Sequence, residues 1–118
     1  MDIRLKRVYE RPAKSDGVRV LVDRIWPRGV RREDAELDEW LKDVAPSNEL
    51  RKWFNHDPER WDGFAEKYRR ELVEHAEPVK RLVELTKKGR LTLVFGASDT
   101  DHNNAVVLKN YLQEILKK

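Results

Sequence analysis

Cysteine is absent from this chain of 118 residues. That removes disulfides, thiolate nucleophiles and the zinc motifs that need Cys, and it suits a cytoplasmic compartment. Methionine and glutamine occur once each against abundant Lys, Arg and Glu, a bias that fits a thermostable protein with surface ion-pair networks. Glycine and proline number five each, too few for a collagen-like or linker-dominated chain. No apolar run approaches the roughly 18–20 residues of a membrane span; the longest, Leu91 to Ala97, is strand-sized and contains Thr92. The segment Met1-Asp2-Ile3-Arg4-Leu5-Lys6 has no apolar core behind its charges, so no signal sequence is expected.

What is present is a balance of 39% hydrophobic and 40% charged residues, enough apolar content for one domain spanning residues 1–118. Charge is unevenly divided. Residues 1–32 carry +6, residues 33–66 carry −7 and residues 67–118 carry +4. A dedicated nucleic-acid binder more often keeps its positive excess unopposed. Here the acidic middle can neutralise the basic flanks within the chain, so the pI of about 9.2 is weak evidence for a polyanionic partner.

Hydrophobic periodicity organises the chain. Ile3 to Tyr9 alternates as a half-exposed strand, and Val18 to Ile25, with its continuous Val20-Leu21-Val22, reads as a strand covered on both faces. Pro27 and Gly29 must end it. Leu37, Trp40, Leu41 and Val44 share a helical face, and Ser47 is placed to cap a short helix presenting Leu50, Trp53 and Phe54. Asp57-Pro58-Glu59 opens a helix whose inward stripe is Trp61, Phe64, Ala65, Tyr68 and Leu72. Pro78 opens another, ended by Gly89. Leu91 to Phe95 is the third strand, and Thr100 or Asp101 can cap the last helix. Strands separated by helices predict an α/β fold with a mainly parallel sheet of about three strands, Val18–Asp23 running parallel to Leu91–Phe95.

In such sheets ligands bind beyond the carboxyl ends of the strands, and two of those ends are polar here. Asp23-Arg24-Ile25-Trp26-Pro27-Arg28-Gly29 offers Arg24 and Arg28 as forked donors for a carboxylate or phosphate, with Asp23 to orient one of them or act as a base. An ion pair between Asp23 and an arginine, with Trp26 as a plug, would instead only hold the turn. The second end, Gly96 to Asn104, joins a strand to a helix N-terminus; Ser98, Asn103 and Asn104 add donors, and His102 is the best-placed acid–base group. The plain alternative is an N-capped helix start. Asp99 and Asp101 oppose a bound anion unless they point away. No metal or cofactor motif is present, and His56 and His75 read as surface or boundary residues.

At these segments the chain resembles the family called domain of unknown function 488, in its short branch. The likeness lies in Lys6-Arg7-Val8-Tyr9, Asp16-Gly17, Val20-Leu21-Val22-Asp23-Arg24 with Trp26-Pro27-Arg28-Gly29, Leu50-Arg51-Lys52, and Leu91 to Ala105 with His102-Asn103. The resemblance implies an α/β fold on a parallel sheet with a shortened first crossover, and no established activity. Longer relatives tend to carry Cys-His-Arg where this chain has His102-Asn103-Asn104, so a thiol-dependent role does not transfer. The expected function is a pocket for a small anionic ligand, phosphorylated ligands included. Arg24, Arg28, Ser98, Asn103 and Asn104 would bind it, and Asp23 or His102 would move a proton. Two other classes compete: a nucleic-acid-associated module using the basic N-terminal third, and an interaction subunit anchored by Trp26 and Trp53. Nothing points to a membrane partner.

Overall fold

Four parallel strands form one sheet in the computed structural model, which describes residues 2–117. They are β1 (Ile3–Arg7), β2 (Val18–Leu21), β3 (Glu39–Trp40) and β4 (Leu91–Phe95), in the spatial order β1-β4-β2-β3. Val18 pairs with Leu91 and Leu21 with Val94, the parallel register expected of these two apolar runs. Helices α1 (Arg32–Ala35), α2 (Asn48–Phe54), α3 (Trp61–Glu74), α4 (Ala76–Thr86) and α5 (Asn104–Leu116) complete the fold. No helix among the described residues is long and apolar enough to cross a membrane.

Strand alternation divides the core in two. Val20, Val22, Leu91, Leu93 and Phe95 face a large cluster supplied by α2 to α5, in which Phe64, Tyr68, Leu72 and Leu108 are buried. The Tyr68 hydroxyl is sealed inside and donates to the Val44 carbonyl at 2.6 Å. Leu21 and Val94 point the other way, into a smaller cluster with Val8 and Ala35 that Trp26 and Trp40 cover.

The second face carries a polar half because the β1–β2 connection, residues 8–17, holds only one turn of 3-10 helix at Lys14–Asp16. A parallel crossover normally spends a dozen or more residues, usually including a helix, on covering the sheet. Here Arg19 and Thr92 fill that space. Arg19, 3% exposed, donates to Asp16 at 2.7 Å and to the Ala35 and Glu36 carbonyls at 2.8 and 3.2 Å. Lys6 reaches both Asp16 oxygens at 3.1 Å, and Thr92 donates to the Asp16 carbonyl.

Three local expectations are corrected by tertiary contacts. Glu39–Trp40 is an edge strand, not part of a helix: Asp38 exchanges bonds with the Arg19 backbone, Leu41 N–H donates to Leu21, and Trp40 packs edge-on against Trp26 at 5.2 Å. Asp57 caps a 3-10 turn at Pro58–Arg60 before α3 begins at Trp61. Trp61 is half-buried rather than sealed, stacked on Phe64, whereas Phe64, Tyr68 and Leu72 face inward as expected.

Burial pushes the Asp16 carboxyl upward, but bonds from Ala13 N–H, Lys6 and Arg19 outweigh it and leave its pKa below the usual aspartate value. A depressed native pKa contributes stability that is present above about pH 4 and lost as pH falls through the native value. Asp16→Ala is therefore expected to cost roughly 3–5 kcal/mol in urea unfolding, because Arg19 is left buried and uncompensated. The variant should also lose part of the acid sensitivity of the parent; a loss below about 1 kcal/mol would show that the network contributes little.

Candidate functional site

At their carboxyl ends β2 and β4 lie side by side, with Val22 N–H donating to Val94 O at 3.0 Å. The chain leaves β4 for α5 on one face of the sheet and leaves β2 toward α1 on the other. A crevice opens where such connections diverge, and here it measures about 580 Å³. The segments containing Arg28 and His102 thus meet in one cleft.

Asp23 sits at the base. It accepts from Gly96 N–H at 2.8 Å and from Asn104 Nδ2 at 3.2 Å, and Asn104 also donates to Val22 O at 2.9 Å. Gly96 permits this approach, since a Cβ there would stand 3.1 Å from Asp23 Oδ2. Burial raises the Asp23 pKa above its ordinary value, while the two donors and the nearby Arg51 charge pull in the opposite direction.

The turn after β2 is not held by an ion pair to Asp23. Arg24 donates to the Pro46 and Ala45 carbonyls at 3.1 and 3.2 Å, tying the turn to the base of α2. Trp26 Nε1 donates to Val30 O, Tyr9 OH donates to Arg28 O, and Gly29 adopts φ +79°. The Arg28 side chain is exposed on the cleft wall and forms no ion pair among the described residues.

The loop after β4 is closed on itself. Asp99 accepts from the amides of Asp101 and His102, and chiefly for that reason its pKa lies below the usual aspartate value. Asp99 Oδ2 also meets His102 Nδ1 at 3.0 Å, which fixes the imidazole against the edge of Trp61 and leaves Nε2 as its remaining polar atom. Asn103, rather than Thr100 or Asp101, caps α5: its Oδ1 accepts from Val106 N–H and its Nδ2 donates to Asp99 O. His102, Asn103 and Asn104 line the cleft; Ser98 is exposed outside it, and neither loop acid lines it.

The opposite wall comes from α2 and the residues after it, which contribute Arg51, Lys52, Asn55 and His56. Ser47 caps α2 by accepting from Leu50 N–H, and its own N–H and hydroxyl donate to Glu71, so this wall is fixed to α3. Arg51 Nη2 donates to Asn48 at 3.2 Å, while its Nε is buried without a hydrogen-bond partner. Arg51 and Lys52 were not among the expected site residues; their signal was the Leu50-Arg51-Lys52 likeness. Trp26 and Trp53 have internal partners, Trp26 in Trp40 and Arg32, and Trp53 in Arg60 and Lys67.

Over residues 2–118 the sequence matches the family described as the inactive DUF488-N3 subclade. It is 45% identical to the uncharacterized protein YeaO of Escherichia coli over 98% of this chain and 100% of that one. It is also 46% identical to the uncharacterized protein Rv3073c of Mycobacterium tuberculosis, over 93% of this chain and 92% of that one. No solved structure matches.

Arg51→Ala removes a charge that favours the Asp23 carboxylate and should move the Asp23 titration further upward, read by carboxyl 13C NMR. Because the native chain keeps this proton to higher pH than the unfolded chain does, Asp23 lowers stability as pH rises between the unfolded and native values. An unchanged Asp23 titration in the variant would contradict this electrostatic coupling.

Proposed function

The chain belongs to the family called domain of unknown function 488, in the subclade described as inactive, and from that premise we propose that it is a cytoplasmic binding protein whose cleft takes a small anionic ligand, phosphorylated ligands included. One observation carries the reading. Arg24, Arg28, Arg51 and Lys52 line the cleft against the single carboxylate of Asp23, and none of the four forms a salt bridge among the described residues. Of the other described arginines, most are matched, among them Arg19 with Asp16, Arg69 with Glu114, Arg81 with Glu39 and Arg90 with Asp2, while Arg7, Arg11 and Arg32 form no salt bridge and do not line the cleft. Unmatched cations gathered on concave walls attract an anion and strengthen its hydrogen bonds.

The two aspartates that would repel an anion support the same reading, because Asp99 is turned to its own loop amides and Asp101 is exposed. Binding without turnover fits the description of the subclade. Asp23 then acts by holding Gly96 and Asn104 in place, and His102 by offering Nε2 from an imidazole that Asp99 fixes.

Sulfate or phosphate added to the protein should shift the Gly96, Asn104 and Arg28 amide resonances in heteronuclear NMR, and the affinity should fall with added salt. Arg28→Ala should weaken the anion by a few-fold to about tenfold and leave the melting temperature nearly unchanged, since the side chain braces nothing. Matching affinities in parent and variant would remove Arg28 from the site. Oligonucleotide binding that tightens with length and spares these resonances would favour the basic N-terminal third instead.

A further inference from the structure

Among the cations of the cleft, Arg51 differs from the rest. Arg28 and Lys52 extend into solvent, and Arg24 is occupied by two backbone carbonyls. Arg51 projects from a helix that Leu50 and Phe54 anchor in the core. Its Nε is the one buried side-chain polar atom among the described residues that lacks a hydrogen-bond partner. Arg51 lines the cleft from a partly buried position, so its charge is less screened by solvent than that of the exposed Arg28 and Lys52.

The mouth has a different character. Of the four exposed large hydrophobic side chains among the described residues, two, Ile25 at 57% and Tyr9 at 50%, line this same cleft. Tyr9 is fixed in place, its hydroxyl donating to Arg28 O and one ring face lying under the Arg7 guanidinium at 5.0 Å. Single exposed hydrophobics need no explanation; a pair at the mouth of a cationic cleft offers apolar contact to a ligand.

We infer that Arg51 anchors the acidic group of the ligand, and that the ligand is an organic phosphomonoester whose flat apolar body lies across Ile25 and Tyr9. The inference rests on the cleft being the binding site proposed above. A phosphomonoester fits better than a carboxylate because the cations stand on two walls, Arg28 after β2 and Arg51 with Lys52 on α2. One guanidinium saturates a planar carboxylate, whereas a tetrahedral phosphate presents three oxygens in different directions and can meet both walls. Asp23 does not forbid it, because both its oxygens already accept from donors.

The test titrates inorganic phosphate and phenyl phosphate into the parent protein and into Arg51→Ala, Arg51→Lys and Arg28→Ala, following the Gly96 and Asn104 amides by NMR. Phenyl phosphate should bind the parent about tenfold more tightly than inorganic phosphate, a modest return for partial burial of a ring. Arg51→Ala should weaken both anions by roughly ten- to a hundredfold, more than Arg28→Ala does. Arg51→Lys, which keeps the charge and loses the forked donors of the guanidinium, should recover only part of the affinity. Should Arg51→Ala not fold, Arg51→Lys decides alone, and undiminished affinity in it would overturn the role of Arg51. Anions that still perturb Gly96 and Asn104 at full affinity in Arg51→Ala would also overturn it while leaving the cleft reading intact. Equal affinities for the two anions would overturn the apolar contact, and no perturbation of the parent by either anion would overturn the cleft reading itself.

Discussion

One carboxyl group fixes the arrangement on which the cleft depends. Asp23 binds the amide of Gly96, at the end of the neighbouring strand, and the side chain of Asn104, in the first turn of the last helix. Two strand ends and a helix start, far apart in sequence, are thereby held at hydrogen-bonding distance. The cost is desolvation of the carboxylate, visible in its raised pKa and offset in part by the two donors and the Arg51 charge. Gly96 follows from the same constraint, since a side chain there would crowd the Asp23 carboxyl. So does the spacing of the walls, because Arg24 ties the turn after Asp23 to the carbonyls just before α2.

The two halves of the sheet show how a short crossover is accommodated. With residues 8–17 too few to lay a helix over β2 and β4, the exposed face is closed at one end by the Asp16–Arg19–Lys6 network and at the other by Trp26 and Trp40. Arg19 and Lys6 belong to the basic N-terminal third, and their charge is answered internally by Asp16. Two of the ten cations of that third are thus structural. The unanswered cations of the cleft are therefore more informative than the pI.

Legibility in the sequence tracked the range of the interactions involved. Val20-Leu21-Val22 and Leu91 to Phe95 announce their strands because burial on both faces is written locally. Asp23, Arg24, Arg28, His102, Asn103 and Asn104 are readable as candidates because they sit at strand ends, and the structure brings these six to one cleft while it leaves Ser98 outside. Strand β3 was missed because two paired residues carry no period of their own, and Asp38 sets their position through Arg19. The identity of the α5 cap was missed because Asp99 turns the loop back on itself and takes the first amides. Arg51 escaped the period-based reading for a simpler reason: in an amphipathic helix an arginine beside Leu50 looks like solvent-facing charge, and only the packing of α2 against α3 aims it at the cleft.

The claim that the cleft is an oxyanion site, anchored at Arg51, is tested most directly by locating a heavy oxyanion in it. Crystals of the protein grown with tungstate and measured at the tungsten absorption edge would give an anomalous peak that needs no interpretation of weak density. The expected result is one dominant peak beside the Arg51 guanidinium, between the α2 wall and Arg28. A dominant peak on the outer surface, at Lys87 and Lys88 or at Arg11 and Lys14, with nothing beside Arg51, would contradict it.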